Sequence, residues 1–291
     1  MNERAWLFAA PGRLRAPWRI LIFLLATFAC GFVASLFVGT AISFLYSLTG
    51  LRVSSEGWVI VAALLGGHVI ALRYIDHRPW SDVWLDYAAA RPALLARGFL
   101  FGALAIGIPT LVLIAVGWLA RQPGPHEPFL GAALRVSIFL LPAAFYEELA
   151  TRGYIFAVLR EVVGWRTALI TMSLIFGLLH VQNVGADVQS VSLVILAGIF
   201  LGSVVIATRS LYAAWMAHFA WNWTMAVLFH TAVSGLPLES PDYRYVDAGP
   251  DWATGGVWGP EGGAAGGLGM LGGLVYLYAR RGSRRRELPD E

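Results

Sequence analysis

The sequence predicts an all-α protein, a polytopic transmembrane helix bundle with about eight spans. Of its 291 residues 58% are hydrophobic and only 13% are charged, and the mean hydropathy is +0.66. Soluble domains are about 45–50% apolar and about 25% charged, so this chain has too little charge to cover a soluble surface. An ordinary soluble enzyme and a disordered protein are therefore both excluded. The runs without charge and the placement of the arginines also predict a membrane protein.

The number of spans follows from the runs without charge. A transmembrane helix needs about 20 mostly apolar residues. The first run is longer than the 7–15-residue core of a signal peptide, so it is predicted to be a retained span. The eight predicted spans are 20–51, 57–72, 98–120, 128–146, 167–184, 188–208, 210–231 and 262–279.

The arginines predict that both termini lie in the cytoplasm, because cytoplasmic connections are enriched in basic residues. They concentrate before the first span, in the connections after the second, fourth and sixth spans, and in the tail after the last. The connection 232–261 instead has five acids and one arginine, Arg244. The expected location is a plasma membrane, of the bacterial inner-membrane type.

Five segments are predicted along the chain. They are a cytoplasmic segment (1–19), helices without a recognised motif (20–127), a core that carries the chemistry (128–230), an extracytoplasmic loop (231–261), and a last helix with a basic tail (262–291). In the loop, Trp252 and Trp258 are expected at the level of the lipid headgroups, where tryptophan is enriched. Inside the spans, Cys30 is interpreted as packing, His68 as a helix contact and Arg135 as a snorkelling side chain.

Three charges occur together near the end of the fourth span, at Glu147, Glu148 and Arg152. An ionisable group at the bilayer centre costs about 2.5–3.5 kcal/mol on insertion scales, so each needs a reason. Glu148 and Arg152 are four residues apart with the acid first, which favours a helical ion pair. Glu147 is about 100° round the helix and must find a partner elsewhere. A helix end in the membrane interface would also explain these charges.

Two later spans carry polar residues at helical spacing. Phe176 and His180 share one helix face, and His218 and Asn222 share another. Each pair alone is explained by ordinary hydrogen bonds between helices. Because buried polar groups in lipid must find one another, all are expected to converge with Glu147 in one cluster.

A carboxylate, two imidazoles and an amide suit hydrolysis by an activated water. The carboxylate accepts the proton of the water, and imidazole and amide donors stabilise the oxyanion. Nothing in the cluster suggests a covalent nucleophile, and the HExxH motif of zinc proteases is absent from the sequence.

In order and spacing, the three motifs Glu147-Glu148-x-x-x-Arg152, Phe176-x-x-x-His180 and His218-x-x-x-Asn222 resemble those of the CAAX-prenyl-protease and bacteriocin-processing (CPBP) intramembrane endopeptidases. The glycine-rich stretch 255–263 resembles the tail of many bacterial members. The resemblance implies hydrolysis of a peptide bond within the membrane. It implies that Glu147 activates water with help from His180, that His218 and Asn222 stabilise the oxyanion, and that Glu148 and Arg152 hold the shape of the site.

The expected cofactor is none, although Glu147, His180 and His218 would also form the three-ligand set of a catalytic zinc. Asn222 favours the metal-free form because an amide is a poor zinc ligand and a good oxyanion donor. The expected partners are the lipid bilayer and a peptide or protein substrate, including a lipid-anchored one, and not nucleic acid. The alternative functions are a catalytically silent membrane scaffold or immunity protein of the same fold, and an ion-coupled transporter.

Overall fold

The computed structural model describes residues 6–10, 13–50, 53–124, 128–238 and 243–286, and long helices dominate it. They are α1 (Ala16–Thr49), α2 (Glu56–Ile70), α3 (Pro92–Ala115), α4 (Phe129–Arg152), α5 (Tyr154–Leu178), α6 (Val188–Thr208), α7 (Leu211–Trp223), the short α8 (Asp251–Thr254) and α9 (Ala264–Arg286). Single π-helical turns, Ala71–Ile75 and Thr224–Leu228, extend α2 and α7. The strands are β1 (Phe8–Ala10), β2 (Arg13–Leu14), β3 (Leu119–Pro123) and β4 (Tyr243–Asp247).

The predicted all-α membrane bundle is confirmed. In the part of the chain that the structure describes, five helices are long and apolar enough to cross a membrane. One of these, Phe129–Leu178, contains both α4 and α5, and Ala264–Ala279 is a shorter apolar helix. Several predicted bounds were wrong by a few residues. The third span ends at Ala115 because β3 follows it, and the fifth ends at Leu178 because a turn follows it.

The helices α4 and α5 form an antiparallel hairpin whose reversal lies at Gly164. This glycine has φ 79° and ψ 160°, a conformation that is essentially restricted to glycine, in the middle of an otherwise helical segment. Arg152 lies twelve residues before it and contacts Phe176, twelve residues after it. The first half of α5 therefore continues the direction of α4, and only its second half returns.

A second irregularity, at Gly153, separates α4 from α5. The ring of His68 on α2 approaches so closely that an added Cβ on Gly153 would clash with Nε2 of the imidazole. Nδ1 of His68 contacts the carbonyl of Leu64 at 2.7 Å, and Nε2 accepts a hydrogen bond of 3.0 Å from the backbone N–H of Tyr154. His68, which is fully buried, thus satisfies a backbone donor at the helix break. It is a helix contact, as the sequence predicts.

Close backbone packing positions α7. Gly98 and Gly102 on α3 lie against the carbonyls of Ala213 and Ala217, and a Cβ at either glycine would clash with them. At the start of α7, the side chain of Ser210 accepts a hydrogen bond of 3.0 Å from the N–H of Ala213, which caps the helix.

The end of the bundle near the start of α1 is held by ion pairs. The Arg19 guanidinium, only 3% exposed, pairs with Asp76 at 2.5 Å and with Glu161 at 3.3 Å. Arg78 pairs with Glu161 at 2.8 Å, and Arg13 pairs with the same carboxylate. These contacts fix α1 and the segment after α2 to the hairpin turn.

The connection between α7 and α9 is more ordered than the predicted loop. β4 pairs with β3 in an antiparallel two-stranded sheet, so the connection folds back on the end of α3. Trp258 is 1% exposed and packs with Phe176 and Val194, so it faces the protein interior, whereas Trp252 is 59% exposed. Through Trp258 the connection packs against α5 and α6. Cys30 packs against Gly66 on α2, as expected, and Arg135 is exposed.

Candidate active site

A cavity of about 400 Å³ lies between α4, the end of α5, α6 and α7 and extends to the connection before α9. All four predicted catalytic residues line it. The polar residues of its wall are Tyr146, Glu147, Thr151, His180, Asn183, His218, Asn222, Ser234 and Glu261, and the remaining wall is mostly apolar. The three motifs therefore meet at one cavity, although they come from three separate stretches of the sequence.

Glu148 and Arg152 form the ion pair that their spacing predicts. Nη1 of Arg152 donates to Oε1 of Glu148 at 2.9 Å, and both side chains are at most 2% exposed. Nη2 of Arg152 donates to the carbonyl of Gly198 on α6 at 3.2 Å. The same guanidinium lies over the ring of Phe176, with its carbon 4.4 Å from the centroid. The pair thereby joins α4 to α5 and α6.

Glu148 also holds His218. Nδ1 of His218 lies 2.9 Å from Oε1 of Glu148, which directs Nε2 of the imidazole toward Glu147. A carboxylate on one ring nitrogen fixes the orientation of the other nitrogen.

Glu147 faces both histidines and contacts neither directly. Its Oε2 lies 3.7 Å from Nε2 of His218 and 3.9 Å from Nε2 of His180. This oxygen is buried and has no hydrogen-bond partner among the residues that the structure describes. These separations are too long for direct hydrogen bonds, so Oε2 of Glu147 is available to a water in the cavity. Of the two carboxylates, Glu148 is therefore committed to Arg152 and His218, whereas Glu147 faces the cavity.

His180 lies just beyond the end of α5, in the turn that follows it, and not inside the helix as its spacing suggested. Its Nδ1 contacts the carbonyl of Phe176 at 2.7 Å. A carbonyl only accepts, so Nδ1 of His180 donates to it, and Nε2 of the ring faces Glu147.

If the predicted spans were straight helices, Glu147 would lie near the cytoplasmic edge of the membrane and His180 near the opposite edge. The hairpin removes this conflict, because Glu147 lies seventeen residues before Gly164 and His180 lies sixteen residues after it. At about 1.5 Å per residue, both lie about 25 Å from the turn.

Asn222 lines the cavity one helical turn after His218. Phe176, 3% exposed, packs its ring against both imidazoles, with centroids 4.8 Å from His180 and 6.0 Å from His218. It forms a wall of the site, as the sequence indicates.

Glu261 lines the same cavity, and sequence reasoning gave it no role. Its Oε1 accepts from the N–H and hydroxyl of Ser234 at 2.6 and 2.7 Å, and its Oε2 accepts from the indole of Trp221 at 2.8 Å. The sequence signal that could have identified Glu261 is a carboxylate between Pro260 and a pair of glycines, directly before an apolar helix.

The types of donor at the site fit a zinc ion, because two imidazoles and a carboxylate face one point. A carboxylate on the second nitrogen of His218 is also usual around zinc. No group of three or more His, Cys, Asp or Glu among the described residues, however, has the arrangement of a metal centre. The site therefore contains the residue types that bind zinc, but these described residues are not arranged as a metal centre.

In the comparisons with known proteins, one family model matches part of the chain. Residues 129–224 match the family model described as type II CAAX prenyl endopeptidase Rce1-like. No curated protein and no solved structure matches the chain significantly. The matched segment begins with α4 and ends in the π-helical turn after α7, so it contains all three motifs. The chain is thus a membrane protein with a segment, 129–224, that is similar to the Rce1-like type II CAAX prenyl endopeptidase family.

Proposed function

We propose that this protein is an intramembrane endopeptidase in which Glu147 activates the water that attacks a peptide bond. One observation carries the proposal: Oε2 of Glu147 faces the Nε2 atoms of both histidines at 3.7 and 3.9 Å inside a cavity. The neighbouring carboxylate is bound to Arg152 and His218. The two acids therefore have different roles, one chemical and one structural.

In the proposed reaction, the water lies between Glu147 and His180. It donates one hydrogen to Oε2 of Glu147 and the other to Nε2 of His180, which aims its oxygen at the substrate carbonyl. As the new C–O bond forms, Glu147 takes the proton of the water. Glu147 then gives this proton to the amide nitrogen, and the C–N bond breaks. This transfer restores the carboxylate of Glu147, and the products are a carboxylic acid and an amine.

His218 and Asn222 stabilise the oxyanion of the tetrahedral intermediate. Because Nδ1 of His218 donates to Glu148, the ring must be protonated for Nε2 to act as a donor as well. The protonated ring donates to Glu148 through Nδ1 and to the oxyanion through Nε2, and the amide of Asn222 supplies a second donor. Loss of one such donor costs about 10²–10³ in kcat in a well-studied protease.

The proposed substrate is a peptide or protein delivered from the membrane, including one that carries a lipid anchor. The largely apolar cavity wall suits such a segment. In the proposed topology both termini face the cytoplasm of a bacterial cell, 128–230 is the catalytic core and 231–261 is extracytoplasmic. The Arg-rich ion pairs near the start of α1 are consistent with a cytoplasmic face.

The test is cleavage of a fluorogenic membrane peptide by the full chain in proteoliposomes. Glu147→Gln, which keeps the size of the side chain, is expected to abolish cleavage and leave thermal unfolding unchanged. Asp251→Asn on the connection before α9 changes an exposed carboxylate away from the cavity and serves as the matched control. Full activity in Glu147→Gln contradicts the mechanism.

Two other outcomes separate the alternative functions. A folded wild-type protein that cleaves no membrane-delivered peptide favours the silent scaffold. Dissipation of a pH gradient without cleavage favours the transporter, whose buried charges would act as a proton relay.

A further inference from the structure

Glu261 differs from Glu147 although both carboxylates line the catalytic cavity. Both oxygens of Glu261 accept hydrogen bonds of 2.6–2.8 Å, from the backbone and hydroxyl of Ser234 and from the indole of Trp221. Both oxygens of Glu261 are thus bound to donors of the protein, whereas Oε2 of Glu147 has no hydrogen-bond partner among the described residues. The position of Glu261 at the cavity thus points to a role in geometry.

The contacts of Glu261 join two elements that carry site residues. Trp221 precedes Asn222 in α7, so its bond to Glu261 fixes the turn of α7 that presents Asn222 to the cavity. On the other side, the carbonyl of Ser234 accepts a hydrogen bond of 3.1 Å from Asn183. Asn183 lies in the turn that begins with His180, since its own N–H donates to the carbonyl of His180 at 3.1 Å.

The segment between these contacts is a tight turn that needs outside support. Val233 and Leu236 exchange two backbone hydrogen bonds, of 3.1 and 2.8 Å, around Ser234 and Gly235. Both central residues have positive φ, 49° at Ser234 and 78° at Gly235. This conformation is unfavourable for serine and persists where surrounding contacts impose it. The two bonds from Ser234 to Glu261 are such contacts.

We propose that Glu261 is a positioning residue, which uses the 233–236 turn to hold Asn222 and His180 at fixed places across the cavity. This inference rests on the proposed function, because it assigns Glu261 to the geometry of the oxyanion donor and of the water. It adds a fourth element, the segment before α9, to the three motifs of the site.

The test uses the full chain in nanodiscs and two independent measurements, amide hydrogen exchange and peptide cleavage. In Glu261→Ala, exchange at 231–236 and 180–187 rises by about tenfold or more, since a hydrogen bond to a charged group is lost. Exchange in α1 stays unchanged. The kcat falls about 10–100-fold, the scale for a misplaced catalytic group, and KM stays within about twofold.

A conservative variant tests whether the hydrogen-bond pattern matters. In Glu261→Gln one oxygen still accepts from Ser234, but the new NH₂ group faces the indole N–H of Trp221, so two donors meet. The variant is expected to lose kcat. In a Trp221→Phe background the conflicting donor is gone, and Glu261→Gln then changes kcat by less than about twofold, a small effect for a pair that no longer interacts. A merely structural carboxylate would not give this rescue.

Each remaining outcome decides the question. Unchanged exchange in Glu261→Ala overturns the contact itself, and faster exchange with unchanged kcat overturns the positioning role. If the wild type cleaves nothing, the proposed function fails and the positioning role fails with it, while the exchange data still report on the contact. Asp251→Asn is the control for charge on the same connection and is expected to change neither measurement.

Discussion

The guanidinium carbon of Arg152 lies 4.4 Å from the ring centroid of Phe176, so the first two motifs contact each other across the α4–α5 hairpin. The two residues are equally far from Gly164 in sequence, twelve positions on either side. The turn at Gly164 consequently sets which residues of the two arms face each other. A shift of that turn by one residue would move His180 away from Glu147.

Gly164→Ala is expected to destabilise the protein by about 1–3 kcal/mol, because alanine is strained at φ 79°, ψ 160°. Nothing lies within 4 Å of the added Cβ, so the cost comes from the backbone alone. The measurement is the unfolding midpoint in detergent. The matched control is Gly39→Ala inside α1, where the space is also open and helix propensity favours alanine by about 1 kcal/mol. Equal shifts in both variants would contradict this explanation.

Glu148→Gln is expected to destabilise the protein much more than Glu147→Gln. Removal of the charge of Glu148 leaves Arg152 buried without its partner, and breaking a buried pair costs about 3–5 kcal/mol. Glu147 makes no direct ion pair within 3.5 Å, and its side chain is 26% exposed, so its loss has little effect on unfolding. Unfolding curves of the two variants in the same nanodiscs provide the comparison. Similar losses of stability would mean that the two carboxylates share the structural role.

The sequence predicts most of the site, because its chemistry is local in the chain. The i, i+4 spacing places Glu148 with Arg152, and the cost of charge in lipid predicts that the three motifs converge. The depth of the site is not predictable in this way, since the spacing within each motif does not reveal that the helical segment continues past Arg152 to a turn at Gly164. The pairing of β3 with β4 depends on a contact between residues more than a hundred positions apart.

The role of Glu261 is likewise not predictable from the sequence, because it depends on contacts between distant residues. Its role depends on Ser234 and Trp221, and both contacts are made only after the connection folds back onto α7. A pattern based on helix spacing cannot connect residues of a loop to a helix that precedes it. The packing of Trp258 against Phe176 is not predictable for a related reason, because composition identifies a loop but not what the loop packs against.

His68→Ala is expected to cost about 1–3 kcal/mol, the cost of a buried donor without a partner, because the N–H of Tyr154 loses its acceptor. A double-mutant cycle isolates this contribution. Tyr154 is the first residue of α5, a position that accepts proline, and Tyr154→Pro removes the donor together with the buried ring. Tyr154→Ala, which loses the same ring and its hydrogen bond to Asp76 but keeps the N–H, is the matched background. In the Tyr154→Pro background, His68→Ala is expected to cost clearly less than in the Tyr154→Ala background. An unchanged cost would assign the effect to packing of the imidazole and not to the hydrogen bond.

Metal chelation separates the two mechanisms that the donor set allows. Cleavage in proteoliposomes is expected to survive prolonged treatment with a strong zinc chelator and to be lost in Glu147→Gln. In the proposed mechanism Nε2 of His218 carries a hydrogen that it donates to the oxyanion, so this nitrogen has no lone pair for a metal. A zinc ion would need that lone pair. Loss of cleavage on chelation, with recovery on added zinc and not on added magnesium, would assign Glu147, His180 and His218 as ligands. Asn222→Ala gives an independent check, because it removes an oxyanion donor and should lower kcat without changing the response to the chelator.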